Sequence, residues 1–197
     1  MLALQALLGR ETVCGQSHKA TWTARLRFAT VLKLLGQRER ARNLFSLLAS
    51  YYPPQLGESH PTSVAVVTSL AELHMLCGQA ISAEGILRSL ILICDRGGVS
   101  SLHAEFLLGE CLMMLSRFDE AELLHRRVLG KRRQILGWSH IDTFRSMHAL
   151  ANALVSVIFC SLNGKAIINL YLLRSASVNG KKAKSCWKLL WKVSIPC

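Results

Sequence analysis

Seven histidines and seven cysteines are the residues of this 197-residue chain best suited to ligate a metal or act as nucleophiles, and their spacing argues against both roles. His18, His60 and His140 each close the tetrapeptide Gly-x-Ser-His, beginning at Gly15, Gly57 and Gly137. A histidine that recurs together with its neighbours is explained by a repeated turn, so these three are read as caps or turn contacts. His74, His103, His125 and His148 fall in separate segments, with no ligand spacing such as H-E-x-x-H. The cysteines (14, 77, 94, 111, 160, 186 and 197) contain no C-x-x-C pair, which removes zinc-ribbon and thioredoxin-like chemistry. They are expected to be reduced and mostly buried, in a cytoplasmic protein. Met1 to Leu8 is apolar but has neither the basic start nor the long apolar stretch of a secretory signal. No phosphate-binding loop, G-x-S-x-G or G-x-G-x-x-G is present, and Gly97-Gly98 reads as a loop. No catalytic residue, no metal and no cofactor is expected.

The turns that hold the three histidines belong to a longer repeat. Three residues after each histidine stands a hydroxyl residue (Thr21, Ser63, Thr143), and eleven after it an alanine (Ala29, Ala71, Ala151). The first two copies are 42 residues apart and the third follows after 80, so one copy is hidden between them, shortened by four residues. Gly109 takes the small-residue place in that copy, and Gly97-Gly98-Val99-Ser100 replaces its connector. Seven residues beyond the small residue comes a turn position (Gly36, Gly78, Ser116), and twelve beyond it another alanine (Ala41, Ala83, Ala121). The copies run 15–56, 57–97, 98–136 and 137–154, giving a repeat domain over 1–154 and a tail over 155–197.

This spacing predicts an all-α chain of antiparallel helix pairs. The first helix of each pair, helix A, is expected at 21–35, 62–77, 101–115 and 142–154, with the hydroxyls of Thr21, Ser63 and Thr143 able to accept from its free first-turn amides. Apolar residues recur three and four apart, as in Phe28, Leu32 and Leu35 or Leu70, Leu73 and Leu76. Gly36 and Gly78 end helix A, because glycine tolerates the left-handed conformation there. Helix B follows at 38–52, 80–94 and 118–135. Small residues facing one another on A and B let the two backbones approach closely.

The pattern resembles the tetratricopeptide repeat in its 42-residue form, found in kinesin light chains and many fungal repeat proteins. The resemblance rests on Leu56-Gly57-Glu58-Ser59-His60-Pro61, Ser69-Leu70-Ala71, Gly78 and Ala83-Glu84, on Asp119-Glu120-Ala121-Glu122-Leu123-Leu124, and on Leu136-Gly137-Trp138-Ser139-His140-Ile141-Asp142-Thr143. Arg25, Val67 and Glu105 stand at the family's tryptophan-like position, and Leu32, His74 and Leu112 at its tyrosine. The resemblance implies an α-solenoid, a right-handed superhelix that scaffolds protein–protein contacts by holding a peptide or partner helix in its concave groove. It places in the groove Leu26, Thr30 and Lys33 of the first repeat, Thr68, Glu72 and Met75 of the second, Phe106, Glu110 and Met113 of the third, and His148 and Asn152 of the fourth. Methionines and a phenylalanine beside two carboxylates suit a ligand of mixed apolar and basic character. A family clamp for C-terminal carboxylates is not expected, because only Asn152 among Thr30, Glu72, Glu110 and Asn152 matches its residues.

The formal net charge of +12 is concentrated at one end. Residues 1–154 hold 17 basic and all 12 acidic groups; residues 155–197 hold the other seven basic groups and no acid. In the tail the register calls for a turn glycine near 158 and an alanine near 163, where Ile158 and Asn163 stand. Three readings of the tail remain open: a divergent capping helix, a membrane segment over the apolar stretch 155–173, or non-native sequence from an unspliced intron or frame error. A tail-directed adaptor for membrane or nucleic acid, using Lys181, Lys182, Lys184, Lys188 and Lys192 with Trp187 and Trp191, is the alternative function. The expected partner is another protein or peptide, not nucleic acid or membrane. Leu2 to Gly9 resembles the end of a helix B, so a piece of a longer array is expected, and the resemblance to fungal arrays implies a multidomain chain.

Overall fold

The computed structural model describes residues 2–98 and 100–176. Among the described residues the chain is eight consecutive helices: α1 (Leu2–Cys14), α2 (Lys19–Leu34), α3 (Arg38–Leu56), α4 (Pro61–Leu76), α5 (Ala80–Arg96), α6 (Leu102–Met114), α7 (Phe118–Leu136) and α8 (Ile141–Ala176). Helices α2/α3, α4/α5 and α6/α7 are the A/B pairs of three repeats, and α8 opens the fourth. Each helix from α1 to α7 packs on its neighbour in sequence, and α4 also touches α6, so consecutive A helices lie side by side. The chain divides into two compact units, Met1–Ala153 and Leu154–Cys197.

The connectors explain where each A helix begins. Gly15, Gly57 and Gly137 adopt φ of +84°, +97° and +81°, and the histidine three residues later caps the helix. His18 Nδ1 accepts from the Ala20 amide at 3.1 Å, His60 Nδ1 from Thr62 at 3.2 Å, and His140 Nδ1 from Asp142 at 3.1 Å. The capping role expected of Thr21, Ser63 and Thr143 is therefore corrected. These residues already lie inside the first turn and are fully buried. Thr21 Oγ1 donates to the Gly15 carbonyl at 2.7 Å and Thr143 Oγ1 to that of Gly137 at 2.8 Å, tying connector to helix. The Ser63 hydroxyl is buried without a hydrogen-bond partner. Where the second repeat passes into the shortened connector, Gly97 lies against that repeat's own Ser59, and a Cβ on Gly97 would come 2.4 Å from Ser59 Cβ.

All three A-to-B turns close in the same way. The amides of Gly36 and Gln37 reach the carbonyls of Lys33 and Leu32; those of Gly78 and Gln79 reach Met75 and His74; those of Ser116 and Arg117 reach Met113 and Leu112. This paired bonding satisfies two carbonyls that every helix end leaves free, and it requires a left-handed residue at its centre. Helix α3 runs past its expected end at Tyr52 to Leu56, carrying Pro53 and Pro54 into its final turns.

The core lies between the helix pairs. Ala29, Ala41, Ala71, Ala83 and Ala121 are completely buried, as the facing small residues require. Ala29, Leu32, Ala41, Phe45, Leu48, Tyr52, Val66, Leu70 and Leu73 form one cluster; Ala71, Ala83, Leu87, Leu90, Cys94 and the inner residues of α6 and α7 form a second. On α8, Thr143, Ser146, Ala149 and Ala153 are buried, while Phe144, Met147 and Ala151 are exposed. Ala151 is the counterpart of Ala29 and Ala71, and among the described residues no helix B covers it.

Helix α8 continues through positions 158 and 163 without the turn that the register calls for. Its stretch Ile141–Cys160, which overlaps the apolar stretch 155–173, is long and apolar enough to cross a membrane by length and composition. Four of its residues, Thr143, Ser146, Ala149 and Ala153, form the buried inner face of the fourth helix A. The basic and tryptophan-bearing positions 181–192 lie outside the described residues.

Ser116 has φ +60° and is the one left-handed residue that is not glycine among the described residues. A side chain there costs about 1–2 kcal/mol, partly offset by the greater flexibility of an unfolded glycine. Ser116→Gly is expected to raise the thermal midpoint by about 1–3 °C, measured by circular dichroism.

Candidate partner-binding face

The eleven predicted groove residues sit on the A helices, and their surroundings divide them. Thr30, His148 and Asn152 are exposed; Leu26, Lys33, Glu72, Met75, Phe106, Glu110 and Met113 are half-buried; Thr68 is buried. Thr68 Oγ1 donates to the Val64 carbonyl at 2.7 Å, so its hydroxyl is spent within its own helix. Thr30 does the same to Leu26 at 2.9 Å while remaining at the surface. Met75, Phe106 and Met113 rest against the second core cluster, and Leu26 against the first.

Side-chain bonds tie three A helices together. Lys33 on α2 pairs with Glu72 on α4, and Glu72 Oε1 lies 3.2 Å from His103 Nε2 on α6. Burial alone would raise the Glu72 pKa; His103 and Lys33 outweigh it and hold the carboxyl below its usual range. On α8, Asn152 Nδ2 and His148 Nδ1 are 3.3 Å apart. These contacts bring Lys33, Glu72 and His103, from three successive A helices, together on one face. His103 belongs to that face although it was not predicted. It stands one helical turn before Phe106, so extending the stripe Phe106, Glu110, Met113 backwards by three residues reaches it.

The third repeat builds this face differently. Its Gly109 replaces the alanine of the other copies, and its His125 stands where α3 has Phe45 and α5 has Leu87. His125 is fully buried, with its ring beside Gly109; a Cβ on Gly109 would come within 2.5 Å of Cε1. The missing methyl makes room for the imidazole. Neither ring nitrogen makes a hydrogen bond, although Glu110 Oε1 lies 3.5 Å from Nε2. Phe106 meets the ring edge-on at 5.6 Å between centroids, and the Arg132 guanidinium sits 4.7 Å over Phe106. Arg132 is itself buried and donates to the Asp142 carbonyl and Ser146 Oγ, each at 2.9 Å, joining α7 to α8.

Electrostatics follow from this packing. Burial pushes the His125 pKa down to about 4, with Arg132 acting in the same direction. Burial pushes the Glu110 carboxyl up, and His148 only partly opposes it. Sequence reasoning did not single out His125 as part of this arrangement. The signal was the glycine inside helix α6, since an interior glycine marks a close approach. Among the described residues no group of three His, Cys, Asp or Glu side chains could hold a metal ion.

Paired antiparallel helices, turns closed by a left-handed residue and side-by-side A helices define a TPR-like repeat array. A crystal structure of a putative kinesin light chain from Podosopora anserina, with nearly identical TPR-like repeats, superposes with a TM-score of 0.66 at 19% identity, over 92% of this chain and 87% of that one. A second crystal structure of those repeats gives 0.67 at 21% identity, over 93% of this chain and 86% of that one. The likeness is one of fold. No protein-family model and no curated protein matches the chain.

Two outcomes test the Gly109–His125 pair. Gly109→Ala is expected to destabilise by about 1–3 kcal/mol through overpacking, and His125→Leu in the same chain to recover most of that, as Ala71 with Leu87 already pack; thermal melts of the single and double variants decide. The folded His125 pKa lies below its unfolded value of about 6.5, so the unfolded chain takes the proton first. Its stability contribution is full above that pH, falls as pH drops towards 4 and levels off below. Urea melts should show wild type losing on the order of 3 kcal/mol relative to His125→Leu across that window.

Proposed function

We propose that the chain is a non-catalytic protein-interaction scaffold that binds an extended peptide or partner helix along the groove face of its A helices. What supports this most is the Lys33–Glu72–His103 chain, which joins side chains of three successive repeats into one ridge. A ligand lying across the A helices would meet a surface already ordered by these contacts, so little side-chain freedom would be lost on binding. Half-buried Leu26, Met75, Phe106 and Met113 supply apolar surface between the polar positions, and flexible methionines adapt to varied ligand shapes. Exposed Thr30 and Asn152 stand at opposite ends of the face. The TPR-like fold supports the scaffold reading, because such repeats serve generally in protein–protein contact.

Screening a displayed library of random peptides against the full chain provides the test. Selected peptides should bind Thr30→Trp or Asn152→Trp variants at least about tenfold more weakly, a loss expected when an indole ring obstructs either end of the bound peptide. Leu123→Trp, on the exposed side of α7, should bind them as wild type does. Peptides whose anisotropy titrations are unaffected by the two groove substitutions, or are weakened only by the α7 substitution, would place binding elsewhere.

A further inference from the structure

We infer that Glu110 is the point at which the A-helix face receives a cation, the arginine or lysine side chain of an extended peptide. The inference rests on the groove reading above and specifies its chemistry. Glutamates that are not fully exposed are ordinarily neutralised in this chain. Glu11 holds Arg25, Glu72 holds Lys33, Glu84 holds Arg88 and Arg117, Glu105 holds Lys131 and Arg127, and Glu122 holds Arg126. Glu110 is half-buried too, with its side chain 42% exposed, yet among the described residues no lysine or arginine lies within ion-pair distance.

The groups that face Glu110 leave its charge uncompensated. From α7 comes His125, wholly buried, with Nε2 3.5 Å from the carboxylate and neither ring nitrogen hydrogen-bonded. From α8 comes His148, exposed and in contact with Asn152. Arg132 is committed to Asp142 and Ser146 and stacks on Phe106. Taking a carboxylate partly out of water without a cation is unfavourable, and burial raises the Glu110 pKa accordingly. An arriving guanidinium or ammonium would relieve that cost. Glu72, at the same register position one repeat earlier, carries its own cation and offers no such gain. Phe106 and Met113, one turn to either side of Glu110, would line the approach of the alkyl stem of an arginine or lysine.

The test follows the methionine methyl resonances of the full chain by NMR, using the blocked peptides Ala-Ala-Arg-Ala-Ala and Ala-Ala-Glu-Ala-Ala as probes. The arginine peptide should shift the Met113 methyl and the glutamate peptide should not. Glu110→Gln should weaken the arginine peptide roughly threefold to fivefold, as expected for a partly exposed pair. Glu72→Gln should leave it within about twofold, and thermal melts confirm that both variants fold. Equal binding by Glu110→Gln, an equal shift with the glutamate peptide, no shift with either, or a loss that follows Glu72→Gln instead would overturn the assignment. If library-selected peptides still need Thr30 and Asn152 while Glu110→Gln changes nothing, the groove stands and the cation site falls.

Discussion

Close approach of paired helices is the constraint on which the rest of this array depends. Ala29, Ala71 and Gly109 on the A helices and Ala41, Ala83 and Ala121 on the B helices have no room for larger side chains. Because each contact point is small, the residues one turn further on (Phe45, Leu87, His125) can cross the seam and fill the space between helices. The same constraint sets the period. Helix A must carry its small residue far enough from the turn to meet its partner's, and the turn residue falls midway between them. A repeat may then lose four residues from its connector, as the third does, without disturbing the seam. It could not lose them from between the two small residues.

That seam was legible in the sequence because it leaves a strict pattern. Three Gly-x-Ser-His connectors, the alanines and the turn positions were enough to place the A and B helices of the first three repeats to within about four residues, and the start but not the end of α8. What the pattern could not say is which atoms make the connector bonds. A hydroxyl near a helix start suggests a cap, yet the histidine three residues earlier holds the free amide, and the hydroxyl turns inward to the glycine carbonyl. The two roles differ by a rotation within one turn, which residue type does not reveal. The end of α3 also lies beyond its expected position. Pro53 and Pro54 stay within the last turns of α3 although neither can donate an i→i−4 hydrogen bond, so the helix ends four residues beyond Tyr52.

The candidate face was legible as a set of positions and not as a distribution of charge. Register alone places Lys33, Glu72 and Glu110 on one stripe and gives the two glutamates equal standing. Packing separates them. Glu72 is bracketed by Lys33 and His103 from the flanking A helices, whereas the register neighbours of Glu110 are Phe106 and Met113 within its own helix and Asn152 in the next repeat. Thr68 illustrates the opposite case: it shares the stripe with Leu26, Phe106 and His148, but the second repeat buries it, and its hydroxyl is satisfied within its own helix.

The third repeat shows what a degenerate array gains when one seam loses its apolar pattern. Phe45 and Leu87 put an apolar side chain at this place in the first two seams. In the third, imidazole takes that place, Gly109 gives up its methyl to admit it, and Arg132 takes the place of Tyr52 and Cys94. A buried histidine without hydrogen bonds and a buried arginine without a carboxylate both cost stability, and apolar residues of similar size would pack there at lower cost. Arg132 recovers part of that cost by bonding α7 to α8 across the next repeat boundary. His125 recovers none through hydrogen bonding: the one acidic group beside it, Glu110, lies 3.5 Å from Nε2 and makes no hydrogen bond with the ring. The polarity of this seam is turned towards the same face that carries Met75, Phe106 and Met113.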